Sequence, residues 1–229
     1  MTIQMSKLIL KSLVIGALLL FVVSSCNKVY DHKMRSYVHE YCIIDSVSVV
    51  AVEDTYRDLV HLELWPRMIS GCNFLNRNVE LYDEICRANG DMSYNRVNYL
   101  ILNIMEKRCI TPNIASIEVV SDKDFDIKHP AGLPINDCII LSFTSAYDYV
   151  KNGYKGEDPL DSRERKLISD LCPEDLKMLL CYYGITPVFI FEKSPEILDV
   201  HTLTFKVTLE DGTVSTSSVQ YDFSRLSAN

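Results

Sequence analysis

The stretch Leu203-Thr-Phe-Lys-Val-Thr-Leu-Glu-Asp-Gly212 and the residues that follow it decide the fold. Apolar and polar residues alternate along it, which is typical of a strand with one buried face. A second alternating run, residues 213–223, places Tyr221 and Phe223 on one face. Asp211-Gly212 between two such runs is the strongest short-range signal of a β-hairpin. The sequence therefore predicts an antiparallel hairpin here.

Five segments upstream of the hairpin also carry strand patterns. They lie at residues 42–52, 59–65, 115–120, 138–143 and 187–191. Several short strands with turn residues between them, followed by a terminal hairpin, are typical of a sandwich of two sheets. We therefore predict a mainly β protein, an antiparallel β-sandwich of immunoglobulin-like type.

Helices are predicted in few places. One or two short helices are expected around 161–183, because Asp161-Ser-Arg-Glu164 matches a capping box with an acid at the cap, and Pro173 suits the first turn of a second helix. Residues 79–87 fit a short strand or a helical turn. Residues 97–105 are apolar on both faces and fit a buried strand, with a buried helix left open.

The N-terminus has the parts of a secretory leader. No acid precedes Cys26, and an uncharged apolar core ends in Val23-Ser24-Ser25-Cys26. These four residues resemble a bacterial lipobox, in which a lipid is attached to the cysteine after cleavage before it. The resemblance predicts a signal peptide over 1–25, lipidation at Cys26, a polar tether over 26–40 and a single β-sandwich domain over 41–229.

The anchor also predicts a location. Bacterial lipoproteins carry three acyl chains, and each buried methylene contributes about 0.8 kcal/mol, so release from a membrane is slow. Asn27 stands where an Asp would favour retention in the inner membrane. We expect an outer-membrane lipoprotein, with the periplasmic and the surface-exposed face both left open.

Charge excludes one class of partner. Residues 1–25 hold two of the 23 basic residues and no acid, so the formal net charge falls from −8 to −10 when they are removed. An acidic domain argues against binding to nucleic acid or to anionic lipid headgroups. The partner predicted for the lipid on Cys26 is the membrane, and those for the domain are a glycan, a peptide or an envelope protein. No cofactor is expected.

Seven cysteines remain besides Cys26. An oxidising envelope favours disulfides, yet an odd number leaves at least one thiol unpaired in each molecule. The local candidate pairs are Cys72 with Cys86 and Cys172 with Cys181. The absence of any disulfide is an equal alternative, because a buried cysteine packs as a small apolar residue.

Two groups of residues are candidates for a site. Alternating acids at Asp122, Asp124 and Asp126 could offer oxygen ligands to calcium, although the chain lacks the glycine and glutamate of an EF-hand loop; the alternative is a turn whose carboxylates accept backbone hydrogen bonds. Tyrosines beside two glycines form a candidate ligand surface. They are Tyr147, Tyr149 and Tyr154.

The chain shows none of the common catalytic motifs. It has no G-x-S-x-G, no phosphate-binding glycine loop and no H-E-x-x-H, and its five histidines lack the spacing of paired metal ligands. We therefore expect a protein without enzymatic activity. A structural accessory subunit of an envelope assembly or transport complex is the first alternative, and an enzyme of an unrecognised type is the second.

One family resemblance covers part of the chain. Ala115-Ser-Ile-Glu-Val-Val-Ser-Asp-Lys-Asp-Phe-Asp-Ile-Lys-His-Pro-Ala-Gly132 and the terminal hairpin resemble segments of uncharacterised lipoproteins from Bacteroides-type bacteria. This resemblance implies a lipid-anchored β-sandwich. It implies no activity, because that group has none assigned.

Overall fold

The computed structural model of the protein describes residues 32–54, 59–73, 75, 77–98, 107–181 and 185–228. The leader and Cys26 lie outside the described residues. The described residues divide into two compact units, one of residues 32–34 with 96–98 and the other of the described residues within 35–95 and 107–228. In the first unit, strand β1 (His32–Met34) pairs antiparallel with β4 (Arg96–Asn98).

The larger unit contains a mixed six-stranded sheet. Its strands are β2 (Glu40–Asp54), β3 (Leu59–Asn73), β5 (Arg108–Thr111), β7 (Ile139–Phe143), β8 (Glu164–Leu167) and β9 (Val188–Phe191). Their order across the sheet is β5-β2-β3-β9-β7-β8. Strands β2 and β3 form a long antiparallel pair in which Glu40 lies opposite Asn73, and β5 runs parallel to β2.

A three-stranded antiparallel sheet faces it. The strands are β6 (Ile114–Ser121), β10 (Val200–Leu209) and β11 (Val214–Asp222), in the order β11-β10-β6. The predicted C-terminal hairpin is confirmed as β10 and β11. Gly212 adopts a φ of +88°, a left-handed conformation that glycine takes without strain, and its N–H binds the Leu209 carbonyl at 3.0 Å.

The core lies between the two sheets. Inward residues of β2 and β3 pack against those of β10, and the Phe189 ring of β9 lies 4.8 Å from the Phe205 ring of β10, measured between centroids. The prediction of a mainly β sandwich is thereby confirmed. The immunoglobulin-like type stays a prediction.

Serine hydroxyls join the edges of the two sheets. The backbone N–H groups of Val47 and Val49 in β2 donate to Ser215 Oγ and Ser217 Oγ of β11, both at 3.0 Å. A buried N–H without an acceptor costs about 1–3 kcal/mol, so these hydroxyls satisfy donors that the β2–β3 ladder does not use.

The helical segments differ in part from the prediction. The structure resolves residues 79–87 as helix α1 (Val79–Asn89), and a second helix, α2, spans Tyr147–Lys151. Short 3₁₀ helices lie at Asn136–Cys138, Pro159–Asp161, Ile168–Asp170 and Phe223–Ala228. Of the residues 97–105, the first two belong to β4, and residues 99–105 lie outside the described part of the chain.

Over the described residues 161–181, the predicted short α-helices do not form, and the helical residues there are Asp161, which ends one 3₁₀ helix, and the 3₁₀ helix Ile168–Asp170. The capping acid is Asp158, whose carboxylate accepts from Leu160 N–H, and the chain then enters β8 because Glu164 to Leu167 pair with β7. After Pro173, successive i to i+3 turns end at Met178, which has a φ of +47°. Residues 178–181 then run between β5 and residues 144–146, where Leu180 N–H binds the Thr144 carbonyl at 2.9 Å.

The predicted tether is too long at its C-terminal end. Tyr37 and Val38 are fully buried, and their N–H groups donate to the Asp91 carboxylate at 2.7 and 2.9 Å. Residues 35–40 therefore belong to the folded unit. The burial of Tyr37 and Val38 could not be predicted from their polar neighbours in the sequence, because the acceptor of their N–H groups, Asp91, is distant in the chain. Among the described residues, no helix combines the length and apolar character needed to span a bilayer.

Ser215→Ala should lower the free energy of unfolding by about 1–3 kcal/mol, because it leaves the Val47 N–H buried without an acceptor. Ser218→Ala is the matched control on the same strand, since its hydroxyl shares an exposed hydrogen bond with Thr204; we expect a change within about 0.5 kcal/mol. Equilibrium unfolding in urea measures both variants. Equal losses would contradict a special role for Ser215.

Candidate functional site

A tight turn after β6 brings an acid and a histidine together. Asp126 and His129 form an isolated β-bridge, and Asp126 Oδ1 accepts hydrogen bonds from Lys128 N–H at 2.7 Å and His129 N–H at 2.9 Å. This pattern is an Asx-turn, in which a short acid fixes the backbone that follows it. Phe125, fully buried against Phe223, anchors the turn to the core.

Cys138 completes a cluster of metal-ligating atoms. It is the last residue of the 3₁₀ helix that leads into β7, and its side chain is fully buried. Ligand atoms of Asp126, His129 and Cys138 all lie within 4.8 Å of one another. His129 Nδ1 is 2.8 Å from Asp126 Oδ1 and 3.9 Å from Cys138 Sγ. We name these three residues the DHC cluster.

Two further charges border the DHC cluster. Asp137 Oδ1 lies 2.8 Å from His129 Nε2, so the imidazole is held between two carboxylates. Lys193 Nζ lies 3.5 Å from Asp137 Oδ2. Both carboxylates are partly exposed, whereas only about a tenth of the His129 side chain is exposed.

Around the DHC cluster, the pKa values of two carboxyl groups are lowered and that of the Cys138 thiol is raised. Desolvation opposes ionisation of Asp126, but hydrogen bonds from Lys128 N–H and from His129 outweigh it and lower the pKa of that carboxyl. Desolvation likewise opposes ionisation of Asp137, and the charges of His129 and Lys193 lower its pKa. Burial, with a smaller effect of Asp137, raises the pKa of Cys138 to about 11. The unliganded thiol is therefore protonated at neutral pH.

The predicted calcium ligands do not gather. Asp122 Oδ1 accepts from Thr202 N–H and Asp124 Oδ1 from Ala131 N–H, each at 2.7 Å, so both acids bind separate parts of the backbone. Within the described part of the chain, Asp126 is the one member of the trio that joins a group of ligand atoms. Asp122 and Asp124 therefore accept hydrogen bonds from peptide N–H groups, which was the alternative to calcium binding in the sequence analysis.

The predicted tyrosine surface is wrong for two of its three residues. Tyr149 and Tyr154 are buried and pack edge to face, Tyr149 with Tyr37 at 5.0 Å, Tyr154 with Tyr94 at 5.2 Å, and the two with each other at 5.9 Å between centroids. Tyr147 is half-buried, with the ammonium groups of Lys151 and Lys177 above its ring. The glycines that favoured a surface position serve a turn over a buried aromatic cluster.

Buried charges hold the tyrosine cluster together. Lys107 Nζ lies 3.7 Å from the Tyr37 ring centroid and 3.0 Å from Asp158 Oδ2, and Tyr37 donates its hydroxyl proton to the same carboxylate. On the other side, Asp91 accepts from the Tyr154 hydroxyl at 3.0 Å. Burial raises the pKa of Asp91, and the N–H groups of Tyr37 and Val38 oppose that rise. The cluster is therefore a structural element of the core.

A small polar cavity of about 210 Å³ opens beside α2. Its lining includes Ser145, Asp148, Asn152 and Glu164. Burial raises the pKa of Glu164, with an opposing effect of Lys166. The volume is below the roughly 300 Å³ at which small-molecule pockets begin, so it supports no assignment.

The second half of β3 exposes large apolar side chains. They are Trp65, Met68 and Ile69, exposed by 47%, 52% and 59%. Strand β9 pairs with β3 only at Leu62 and Glu63, so beyond those residues β2 is the one strand paired with β3 in the described part of the chain. We name the three side chains the β3 apolar stretch.

The seven cysteines are free thiols, so neither predicted local pair forms. Five are buried, Cys181 is half-buried and Cys172 is exposed. Burial raises the pKa of Cys86 and Cys181 to about 12. They fit the expectation that a buried cysteine packs as a small apolar residue.

No protein-family model, curated protein or solved structure matches this chain. The functional assignment therefore depends on the described side chains themselves. Sequence reasoning identified Asp126 but missed His129 and Cys138. The available signal was the three-residue spacing between Asp126 and His129, which is short enough for one turn, with a cysteine nine residues further on.

Asp91→Ala should lower the free energy of unfolding by about 3 kcal/mol or more, because it removes the acceptor of two buried backbone N–H groups and a tyrosine hydroxyl. Asp91→Asn, which keeps one acceptor oxygen, should cost less. The control is Asp148→Ala, an exposed acid in α2, with an expected change within about 0.5 kcal/mol. Thermal unfolding followed by near-ultraviolet circular dichroism reports on the tyrosines, and a mild Asp91→Ala effect would contradict this role.

Proposed function

We propose that this chain is an outer-membrane lipoprotein without enzymatic activity, whose β-sandwich domain binds a partner protein of the envelope. Acyl chains on Cys26 hold it at the membrane, and the domain is a binding module. The lipobox-like Val23 to Cys26, the leader before it and the resemblance to lipoproteins of Bacteroides-type bacteria support the anchor. The face of the membrane is open in this proposal.

The β3 apolar stretch carries the binding part of the proposal. Scattered apolar side chains are normal on soluble proteins, whereas apolar groups exposed together mark interaction surfaces. Trp65, Met68 and Ile69 are exposed within five residues of one strand. Tryptophan in particular is enriched at interfaces, where it contributes large contact area. Trp65 is the single tryptophan of the chain.

Trp65 is held in place before any partner arrives. Its indole N–H donates to Glu63 Oε2 at 2.8 Å, and His61 binds the other oxygen of Glu63 at the same distance. Desolvation opposes the charge on Glu63, but these two partners lower the pKa of its carboxyl. A side chain that is already ordered loses less entropy on binding.

The surface fits contact between side chains and not the addition of a strand. Pro66 lacks an N–H, and the register of β2 and β3 skips Asp45 and Ile69. Arg67 binds Asp45 with two nitrogens. Proline, charge and irregular register are features that protect strand edges from pairing. The occupant is therefore a folded partner with an apolar patch of its own.

An accessory subunit of an envelope assembly or transport complex would use the same surface, so it is a special case of this function. A glycan is disfavoured because two of the predicted tyrosines are buried. An enzyme that used Cys138 as its nucleophile would need an accessible thiolate there. Cys138 lies beside His129 as a nucleophile lies beside its base, but it is fully buried and protonated.

Cys26→Ala should leave the domain folded while it abolishes palmitate labelling and recovery in the membrane fraction, because the variant has no acceptor for the lipid. Cys172→Ala removes an exposed thiol instead and should keep both properties. Labelling that persists in the Cys26→Ala variant would refute the anchor.

A photoreactive amino acid placed at Ile69 should form one discrete protein adduct in intact cells, and the same residue at Val214, which is 52% exposed on β11, should not. With the crosslinked protein purified, Trp65→Ala should weaken binding by about 30-fold, which corresponds to about 2 kcal/mol. Adducts of equal yield at both positions, or unchanged affinity in Trp65→Ala, would refute this surface. Retention of a polysaccharide in place of a protein adduct would indicate a glycan ligand.

A further inference from the structure

We propose that the DHC cluster is a binding site for a zinc-like transition-metal ion, with Asp126, His129 and Cys138 as ligands and Asp137 as a positioning residue. The site is separate from the β3 apolar stretch and does not depend on it. The proposal rests on the donor set, on the distances between the donor atoms, and on the partner of the second imidazole nitrogen.

The donor set selects the class of ion. One carboxylate oxygen, one imidazole nitrogen and one sulfur are ligands of zinc and related borderline ions, whereas calcium and magnesium prefer oxygen alone. Two of these three donors were not among the predicted calcium ligands. The structure thus replaces an all-oxygen site with a mixed one.

All three donor atoms lie within 4.8 Å of one another, so a single tetrahedral ion needs adjustments of about 1 Å or less. With Zn–N near 2.0 Å and Zn–S near 2.3 Å, ligand atoms of a tetrahedral site lie about 3.2–3.8 Å apart. His129 Nδ1 and Cys138 Sγ are 3.9 Å apart. Asp126 Oδ1 lies 2.8 Å from His129 Nδ1 in a hydrogen bond that must open by about half an ångström to admit the ion.

Asp137 gives the imidazole the orientation that a ligand needs. Its Oδ1 accepts at 2.8 Å from His129 Nε2, so Nδ1 is the nitrogen directed at Asp126 and Cys138. A carboxylate on the outer nitrogen of a metal-binding histidine is the usual second interaction, because it fixes the tautomer and strengthens the ligand. Lys193 in turn binds the other oxygen of Asp137.

The backbone holds the three ligands in advance. Asp126 and His129 are fixed by the Asx-turn over buried Phe125, and Cys138 stands at the entry to β7. The side chains of Asp126 and His129 are exposed by 23% and 11%, which provides a path for an ion from solvent. Three protein ligands leave one position for water.

Coordination releases protons in a balanced step. The ion forms bonds to Nδ1, to Oδ1 and to Sγ, and the thiol proton of Cys138 passes to solvent, as does any proton on Nδ1. No oxidant or reductant takes part. Affinity for the ion is therefore expected to rise with pH as those protons become easier to remove.

Titration of the full-length lipoprotein in detergent tests the site, with Cys172→Ser as the background to remove the exposed thiol. Zn²⁺ should bind at one equivalent by calorimetry, and Co²⁺ as a probe should give a sulfur-to-metal charge-transfer absorption. His129→Gln should abolish that absorption. Asp137→Asn should retain it and weaken Zn²⁺ binding by about 10–100-fold. His61→Gln, a histidine bound to Glu63 on β3, is the control and should bind as the background does.

Cys138→Ser should lose the charge-transfer absorption as well, and circular dichroism shows whether it is folded. If this core variant fails to fold, the His129→Gln and Asp137→Asn variants test the site, because both side chains are partly exposed. Two results would overturn the proposal, because each would mean adventitious metal binding elsewhere. One is metal binding without the charge-transfer absorption, and the other is metal binding by His129→Gln that equals that of the background protein. Neither result bears on the crosslinking test of the β3 apolar stretch.

Discussion

The hydrogen bonds from Val47 and Val49 of β2 to the hydroxyls of Ser215 and Ser217 are the constraint on which the sandwich depends. Besides the serines, the Tyr221 hydroxyl of β11 donates to the Val60 carbonyl of β3 at 3.2 Å. The core contacts between the sheets are apolar and non-directional, so they bury area without fixing how the strand edges align. The serine hydroxyls fix that alignment. With β11 held against β2, β10 and β6 are placed over the core, and the loops at the end of β6 take their positions from there.

Both candidate sites follow from this arrangement, by different routes. The DHC cluster lies where the chain leaves β6 and returns as β7, so a turn and a strand entry from the two sheets meet over the buried Phe125 ring. The β3 apolar stretch lies where β9 stops pairing with β3 after two residues. One site exists because two elements converge, and the other because a neighbouring strand ends.

The predictable features were those whose cause is local. Alternation in β10 and β11 reflects burial on one face, and Asp211-Gly212 fixes the turn, so that hairpin could be predicted from adjacent residues. The structure of residues 161–183 could not be predicted in this way, because the local capping pattern at Asp161 competes with the pairing of β8 to β7, which lies outside the segment. Tyr149 and Tyr154 lie beside turn-forming glycines, yet their partners are distant in the chain: Tyr37 packs against Tyr149, and Asp91 accepts from the Tyr154 hydroxyl. His129 and Cys138 join one site only when β6 and β7 are both in place.

Amide hydrogen exchange at Val47 and Val49 tests the central claim most directly. In the native protein, both amides should exchange as slowly as the neighbouring amides that β2 donates to β3, and Ser215→Ala should accelerate exchange at Val47 while Val49 stays protected by Ser217. If Val47 and Val49 instead exchange at the rates of an open strand edge in the native protein, the serine hydroxyls do not join the two sheets and the account is wrong.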